Sequence, residues 1–466
     1  MTMSVRTDAL PRLLSFRSAA VSLLLVLVSG SGLPHSAQVK VPRLDFRDRT
    51  LANGMRVVTA QDNLSSTVAV QVWYHVGSKD DPERRSGFAH LFEHMMFKST
   101  RNMPSEMMDR LTEDIGGFVN AETTDDRTAY YEVVPSNYLE SLLWAEADRL
   151  ASLNVDQANF NSERDVVKEE YRQSVLAPPY GMFSYRLQER SFLTHPYRRP
   201  TIGSIEDLDG ASLADVRAFH DTFYRPDNAI LVVVGDFEQK QIDEWIDKYF
   251  GPIAKPLTPL PRVTVKEAAR KKEIRLTEFG SNVPLPALGI TYLTPELKSA
   301  DSEALRVAQI ILSAGESSRL YRSLVYEQQV AQSADASNNF LEDVGLFTIT
   351  AVAASGKKLE MVEAALLAEI KKMQDSPVSD LELEKAVNQV LTARLQERES
   401  NSGKASALGN ATIFFNDPER VNTGLERLRA VTKADIQRVM KTYFTSENRM
   451  VLYYLAEKPK SPVKAK

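Results

Sequence analysis

Gly87-Phe88-Ala89-His90-Leu91-Phe92-Glu93-His94-Met95-Met96-Phe97 reads as one helix whose three polar side chains are set in apolar sequence. His90 and His94 are four positions apart, about one turn, so both imidazoles reach one point in space. Glu93 follows His90 by three positions and leans over the same face. The apolar flanks imply a largely buried helix, where unpaired histidines and a carboxylate are costly unless they bind something. A hydrolytic zinc site needs this set: nitrogen ligands that hold the metal and a base that takes a proton from water. The competing reading, a chance surface pattern, fits the flanks less well.

A third ligand must come from elsewhere. The best stretch is Ser162-Glu163-Arg164-Asp165-Val166-Val167-Lys168-Glu169-Glu170-Tyr171. It reads as a helix with Val166 and Val167 on the buried side. Glu163 and Glu170 lie seven apart, two turns, and share a face. Taken alone, such a charge run is also what a solvated helix looks like.

The order His-x-x-Glu-His is the inverzincin signature. Extended through Lys98-Ser99-Thr100, the segment resembles the active-site helix of the pitrilysin-type zinc peptidases. Within that family the chain is similar to the zinc-bearing beta subunit of the mitochondrial processing peptidase and its bacterial relatives. The family takes its third ligand from a glutamate about 76 residues beyond the second histidine. That spacing implies Glu170 as the ligand and leaves Glu169 as the competitor. The resemblance also implies one Zn²⁺ per chain on His90, His94 and Glu170, with Glu93 as the base and Glu163 as a nearby acidic residue needed for activity. Leu51-Ala52-Asn53-Gly54-Met55-Arg56-Val57 is similar to the family's opening hairpin, and Asn-Gly is a turn signal in its own right. Gly116-Gly117-Phe118-Val119-Asn120-Ala121-Glu122-Thr123 resembles the strand that binds substrate backbone, so Phe118, Val119, Asn120 and Ala121 are expected to contact a peptide. His195-Pro196-Tyr197 and Gly203 match a later family loop.

An internal repeat organises the chain. Ala214-Asp215 and Ala434-Asp435 are 220 residues apart, and at the same offset Thr222 pairs with Thr442, Phe223-Tyr224 with Tyr443-Phe444, and Asn228 with Asn448. An apolar strand follows each Asn. Coincident matches at one offset point to duplication. Pro252, Pro256, Pro259 and Pro261 mark a semi-rigid linker. The expected fold is α+β: two homologous α/β-roll domains, each a mostly antiparallel sheet packed with helices. The zinc-bearing domain is expected at 43–250, the linker at 251–272, the second domain at 273–458 and a basic tail at 459–466.

Composition narrows the classes. With 466 residues, at least two domains are expected. The net charge of −5 argues against a nucleic-acid partner. With no cysteine, a metal must use histidine and carboxylate ligands. Of the six histidines, His75 and His220 are expected to be structural. Arg6, Arg12 and Arg17 precede an apolar run from Ala19 to Val28, so residues 1–37 read as a secretory signal peptide rather than a stable membrane anchor. That implies a periplasmic or secreted protein, with the mitochondrial matrix as the alternative.

The second copy lacks the zinc motif. Its stretch Ser317-Ser318-Arg319-Leu320-Tyr321-Arg322-Ser323-Leu324-Val325-Tyr326 is similar to the family's second-domain helix. Active members place an Arg, and seven residues later a Tyr, where this chain has Val325 and Gln332. Arg319, Arg322 and Tyr326 are out of register. The resemblance therefore implies a peptide-cleaving chamber completed by a homologous subunit that carries the Arg/Tyr pair. A self-sufficient homodimer, a processing peptidase for one precursor and a non-catalytic core subunit are the alternatives.

Overall fold

The computed structural model describes residues 42–457. The expected signal peptide at 1–37 and the basic tail at 459–466 lie outside them. No helix among the described residues is long and apolar enough to cross a membrane.

Two sheets organise the chain. The first contains β1 (Arg47–Thr50), β2 (Arg56–Gln61), β3 (Thr67–Tyr74), β4 (Phe118–Thr123), β5 (Thr128–Pro135) and β6 (Ala229–Gly235), in the order β1-β2-β6-β3-β5-β4. The second contains β7 (Ile274–Gly280), β8 (Ala287–Thr294), β9 (Ala331–Asn339), β10 (Gly345–Ala353) and β11 (Arg449–Ala456), in the order β7-β11-β8-β10-β9. Among the described strands, only β2–β6 and β7–β11 are parallel; every other pairing is antiparallel. The second sheet thus repeats the first without β1. This is the mixed α/β architecture the sequence leads one to expect.

The repeat is visible bond by bond. Ser212 and Asp215 close a capping box on helix Leu213–Phe223, and Thr432 and Asp435 do the same for helix Lys433–Tyr443. The Asn228 amide donates to the Phe223 carbonyl at 2.8 Å, and the Asn448 amide to the Tyr443 carbonyl at 2.7 Å. The repeated Asp stops the helix N-terminus from fraying, and the repeated Asn ties the helix end to the strand that follows.

Strand β3 shows why the sheets read as continuous apolar runs. Val68, Val70, Val72 and Tyr74 point into the core of the first lobe, while Ala69 and Trp73 point the other way. That second face is covered by helix Asn401–Phe415, through Ala405 and Leu408. Gln71, on the same face, donates to the Ser402 carbonyl and the Ser406 hydroxyl, both at 3.1 Å. With both faces covered, alternation disappears from the sequence. The converse holds for the second sheet. Helix Gly181–Ser191 lays Phe183 and Leu187 against Ala287, Met450 and Leu452. Two helices therefore cross the division that 43–250 and 273–458 would make, and from Arg43 onward the described residues group as one compact unit.

The proline-rich connection between Phe250 and Ile274 holds no helix or strand, yet it is pinned. Arg225 donates to the carbonyls of Pro256 and Thr258. Glu267 takes the N–H groups of Leu193, Thr194 and His195, and Arg270 donates to Thr291 and Asn448 carbonyls.

Candidate metal centre

Helix Phe88–Met95 carries the His-x-x-Glu-His segment. Phe88, Ala89, Leu91, Phe92 and Met95 bury one side in the core. That leaves His90, Glu93 and His94 on the other. The Asp81 carboxylate caps the helix, accepting from the N–H of Gly87 at 2.7 Å and of Ala89 at 2.8 Å. Gly87 (φ 94°) and Gly203 (φ 73°) both adopt left-handed backbone, and a Cβ at Gly203 would collide with the Ser86 carbonyl. Two glycines are needed here because the 202–203 loop presses on the start of this helix.

Opposite lies helix Gln157–Tyr171, whose N-terminus Asp156 caps. It delivers Glu163 and Glu170, two turns apart, to the histidines. Glu170 Oε2 lies 3.6 Å from His90 Nε2 and 3.4 Å from His94 Nε2. One ligand atom from each of these three residues falls within 4.8 Å of the others. Glu169 points elsewhere: it accepts from Arg172 and Gln173, both at 3.1 Å. The sequence could not separate these neighbours without the family spacing, and the helix phase does.

Glu163 sits behind His94, with Oε2 3.7 Å from His94 Nδ1. Lys98 Nζ, 2.9 Å from Glu163 Oε1, and the Ser162 hydroxyl hold that carboxylate in place. A carboxylate facing Nδ1 keeps the proton on that nitrogen, so that Nε2, which faces Glu170, is the one free to take a metal. Lys98 and Asp81 are the functional neighbours that motif reading missed. Lys98 lies four past His94 and shares its face, which was the available signal.

The electrostatics favour a cation. Burial depresses the His90 imidazole. Against the same burial, Glu163 and Glu170 raise His94 to about 9. His94 in turn holds Glu170 below the usual carboxylate range. Burial, opposed by Thr123, raises Glu93. Three carboxylates thus surround two imidazoles, with Lys98 as the fixed positive charge. Two imidazole nitrogens and one carboxylate oxygen, converging in a partly buried pocket, fit zinc's preferred donors.

Among the described residues, strand β4 is a sheet edge, paired only with β5. Phe118 and Asn120 are exposed, Val119 is half-buried and Ala121 is buried. Asn120 turns its amide oxygen back to the Ala121 N–H at 2.8 Å. In the second lobe, Arg319 forks on Glu382 at 2.7 and 3.1 Å, Arg322 pairs with Glu327, and Tyr326 is 74% exposed. Val325 is half-buried and Gln332 exposed.

Two other histidines lie at the lobe junction. His75 Nε2 lies 2.7 Å from Glu342 and His195 Nε2 3.4 Å from Asp343. His220 stacks on Phe92 and Tyr224.

Comparisons with known proteins place the chain among zinc peptidases. Residues 56–203 match the model for the insulinase family (peptidase family M16), and residues 210–390 match that for the peptidase M16 inactive domain. The chain is 29% identical to the zinc protease PqqE of Helicobacter pylori over 430 residues, 92% of this chain and 96% of that one. It is 26% identical to a probable mitochondrial-processing peptidase subunit beta of Arabidopsis thaliana, over 86% of this chain and 76% of that one. The crystal structure of a protease from Helicobacter pylori superposes with a TM-score of 0.85 at 28% identity, covering 89% of this chain and all of that one.

Proposed function

The chain belongs to the pitrilysin-type M16 family of zinc proteases, and from that premise we propose that it is the zinc-bearing subunit of a metalloendopeptidase. Its substrates would be extended peptides, enclosed in a chamber completed by a second, related subunit. The observation that carries this reading is the convergence of His90, His94 and Glu170 with Glu93 beside them.

His90 and His94 through Nε2, and Glu170 through its carboxylate, would hold one zinc ion. When bound, that ion supplies Lewis-acid polarisation of a carbonyl and makes a water more acidic. Glu93 accepts the proton of the attacking water and returns it to the leaving amine. Its burial raises its basicity, which suits both halves of that exchange. Glu163, braced by Lys98, positions His94. The open edge of β4 pairs with the peptide backbone, reading extended shape more than sequence.

The second subunit is proposed because Val325 and Gln332 stand where active relatives carry the Arg/Tyr pair. Arg319 is committed to Glu382, so it is not free to substitute. The apolar N-terminal run supports a periplasmic or secreted setting.

The test is cleavage of a quenched, unstructured peptide by the purified chain alone and with a co-expressed Arg/Tyr-bearing relative, with Glu93→Gln as control. Activity only in the mixture, lost in the variant, supports the reading. Activity of the chain alone overturns the two-subunit part. Silence in both settings with zinc bound overturns general peptidase activity.

A further inference from the structure

A cavity of about 800 Å³ lies in the second lobe and shares no lining residue with the metal centre. Helices Ser302–Ser313, Asp380–Glu397, Asn401–Phe415 and Arg420–Arg429 contribute its walls. Its volume is in the range of small-molecule sites, roughly 300–1,000 Å³.

Its charge runs against that of the chain. Arg306, Arg394, Arg398, Arg420, Arg427 and Arg438 line it, against the carboxylates of Glu303, Glu397 and Asp435, while the whole chain carries −5. Two of these arginines are paired with carboxylates, and Arg398 donates to the Val421 carbonyl. Arg394 forks on Glu303 at 3.0 and 2.9 Å, and Arg438 pairs with Asp301 and Asp435. Among the described residues, no carboxylate reaches Arg398, Arg420 or Arg427 at ion-pair distance. Arg306 Nε is buried without a hydrogen-bond partner, with Glu303 3.6 Å away. Burial, then the neighbouring Arg427, depresses the Arg420 guanidinium, and burial with Arg394 does the same to Arg398. Glu303 and Asp417 offset this at Arg420, and Glu397 at Arg398, from beyond ion-pair distance.

The remaining lining is apolar and aromatic. Arg306 lies 4.3 Å above the Phe340 ring and Arg420 3.6 Å above Phe415. Stacking fixes each guanidinium plane and leaves its N–H edge for an anion. Ala411, Phe414 and Leu425 add apolar surface.

We infer that this cavity binds a small amphipathic organic anion. Its acidic head would meet Arg306, Arg398, Arg420 and Arg427, and a ring or short acyl body would lie against Ala411, Phe414 and Leu425. One wall, helix Asn401–Phe415, packs on the first sheet, whereas helix Ser302–Ser313 belongs to the core of the second. A bound anion would therefore tie the lobes together.

Calorimetric titration of the full chain with 1-naphthyl phosphate, octanoate and inorganic phosphate tests this. The expected result is one saturable site per chain for at least one amphiphile, with inorganic phosphate weaker by about tenfold or more. The tighter amphiphile identifies the body as ring or acyl. Arg420→Gln should weaken binding by roughly tenfold, the loss of one charge-assisted hydrogen bond, and Arg420→Lys should weaken it less. Arg427→Gln, at an exposed position, gives a second, independent variant; thermal unfolding confirms that both fold. No saturable binding, equal affinity for inorganic phosphate, preference for an acidic peptide such as hexaglutamate, or unchanged affinity in both variants would overturn the proposal. Because the readout is binding, its failure leaves the peptidase reading untouched.

Discussion

Lys79 Nζ lies 2.7 Å from Glu342 Oε2, joining the first lobe to the loop between β9 and β10. The same ammonium is 2.9 Å from Asp126 and 3.5 Å from Asp343. Asp126 also accepts from the Glu342 N–H and, at 2.5 Å, from the Tyr197 hydroxyl. Lys79 and Asp126 are buried, so the cluster is a desolvated ion network. Lys79→Met strands the buried Asp126 carboxylate and the half-buried Glu342 carboxylate and should destabilise the protein by about 3–5 kcal/mol. Glu342→Gln should cost less, because Asp126 still pairs with the lysine. Urea midpoints of the two variants and their double mutant measure the coupling.

The same network sets an acid limit. Against its burial, His75 and Lys79 hold the Glu342 carboxyl at about 2, below the ordinary 4.5. His195, opposed by partial burial, and then Lys79 hold Asp343 at about 2, below 3.8. Both groups are depressed on folding, so their contribution is complete above pH 4.5 and is lost as pH falls toward 2. Unfolding followed from pH 6 to pH 2 should show this loss, and Glu342→Gln should flatten it. An equally steep profile in the variant would assign the acid sensitivity elsewhere.

Zinc content separates the adjacent glutamates. Glu170→Gln should lose the metal on dialysis, whereas Glu169→Gln, whose native carboxylate bonds Arg172 and Gln173, should retain it. Glu93→Gln should keep zinc and lose roughly 10²–10⁴ in peptidase rate, the usual contribution of a proton-transfer group.

Removing the brace behind His94 should weaken metal rather than abolish it. Lys98→Met frees the Glu163 carboxylate, and zinc affinity should fall about 10–100-fold, as for other outer partners of metal ligands. A competition titration with a chromophoric chelator reads this without any activity assay.

The exchanged helices make a packing prediction. Gly409 of helix Asn401–Phe415 lies directly on the Trp73 indole, and Gly289 of β8 would place a Cβ 2.5 Å from Leu187. Gly409→Val should cost about 1–3 kcal/mol through overpacking. Equal thermal stability would mean that this helix shifts freely over the first sheet.

The sequence by itself determined the local chemistry and the repeat. Histidines four apart on a helix share a face whatever surrounds them, so His90, Glu93 and His94 were legible as a constellation. The 220-residue offset was legible because capping and turn-closing residues such as Asp215, Asp435, Asn228 and Asn448 act within a few positions of themselves. Tertiary structure alone decided the rest. Which of Glu169 and Glu170 faces the histidines depends on how the 157–171 helix is rotated against its neighbour. The packing of helix 181–191 on the second sheet and of helix 401–415 on the first leaves no periodic trace, because any apolar face would serve. The junction of Lys79, Asp126 and Glu342 joins residues more than 200 positions apart, and long-range charge pairs carry no local signature until the chain has folded.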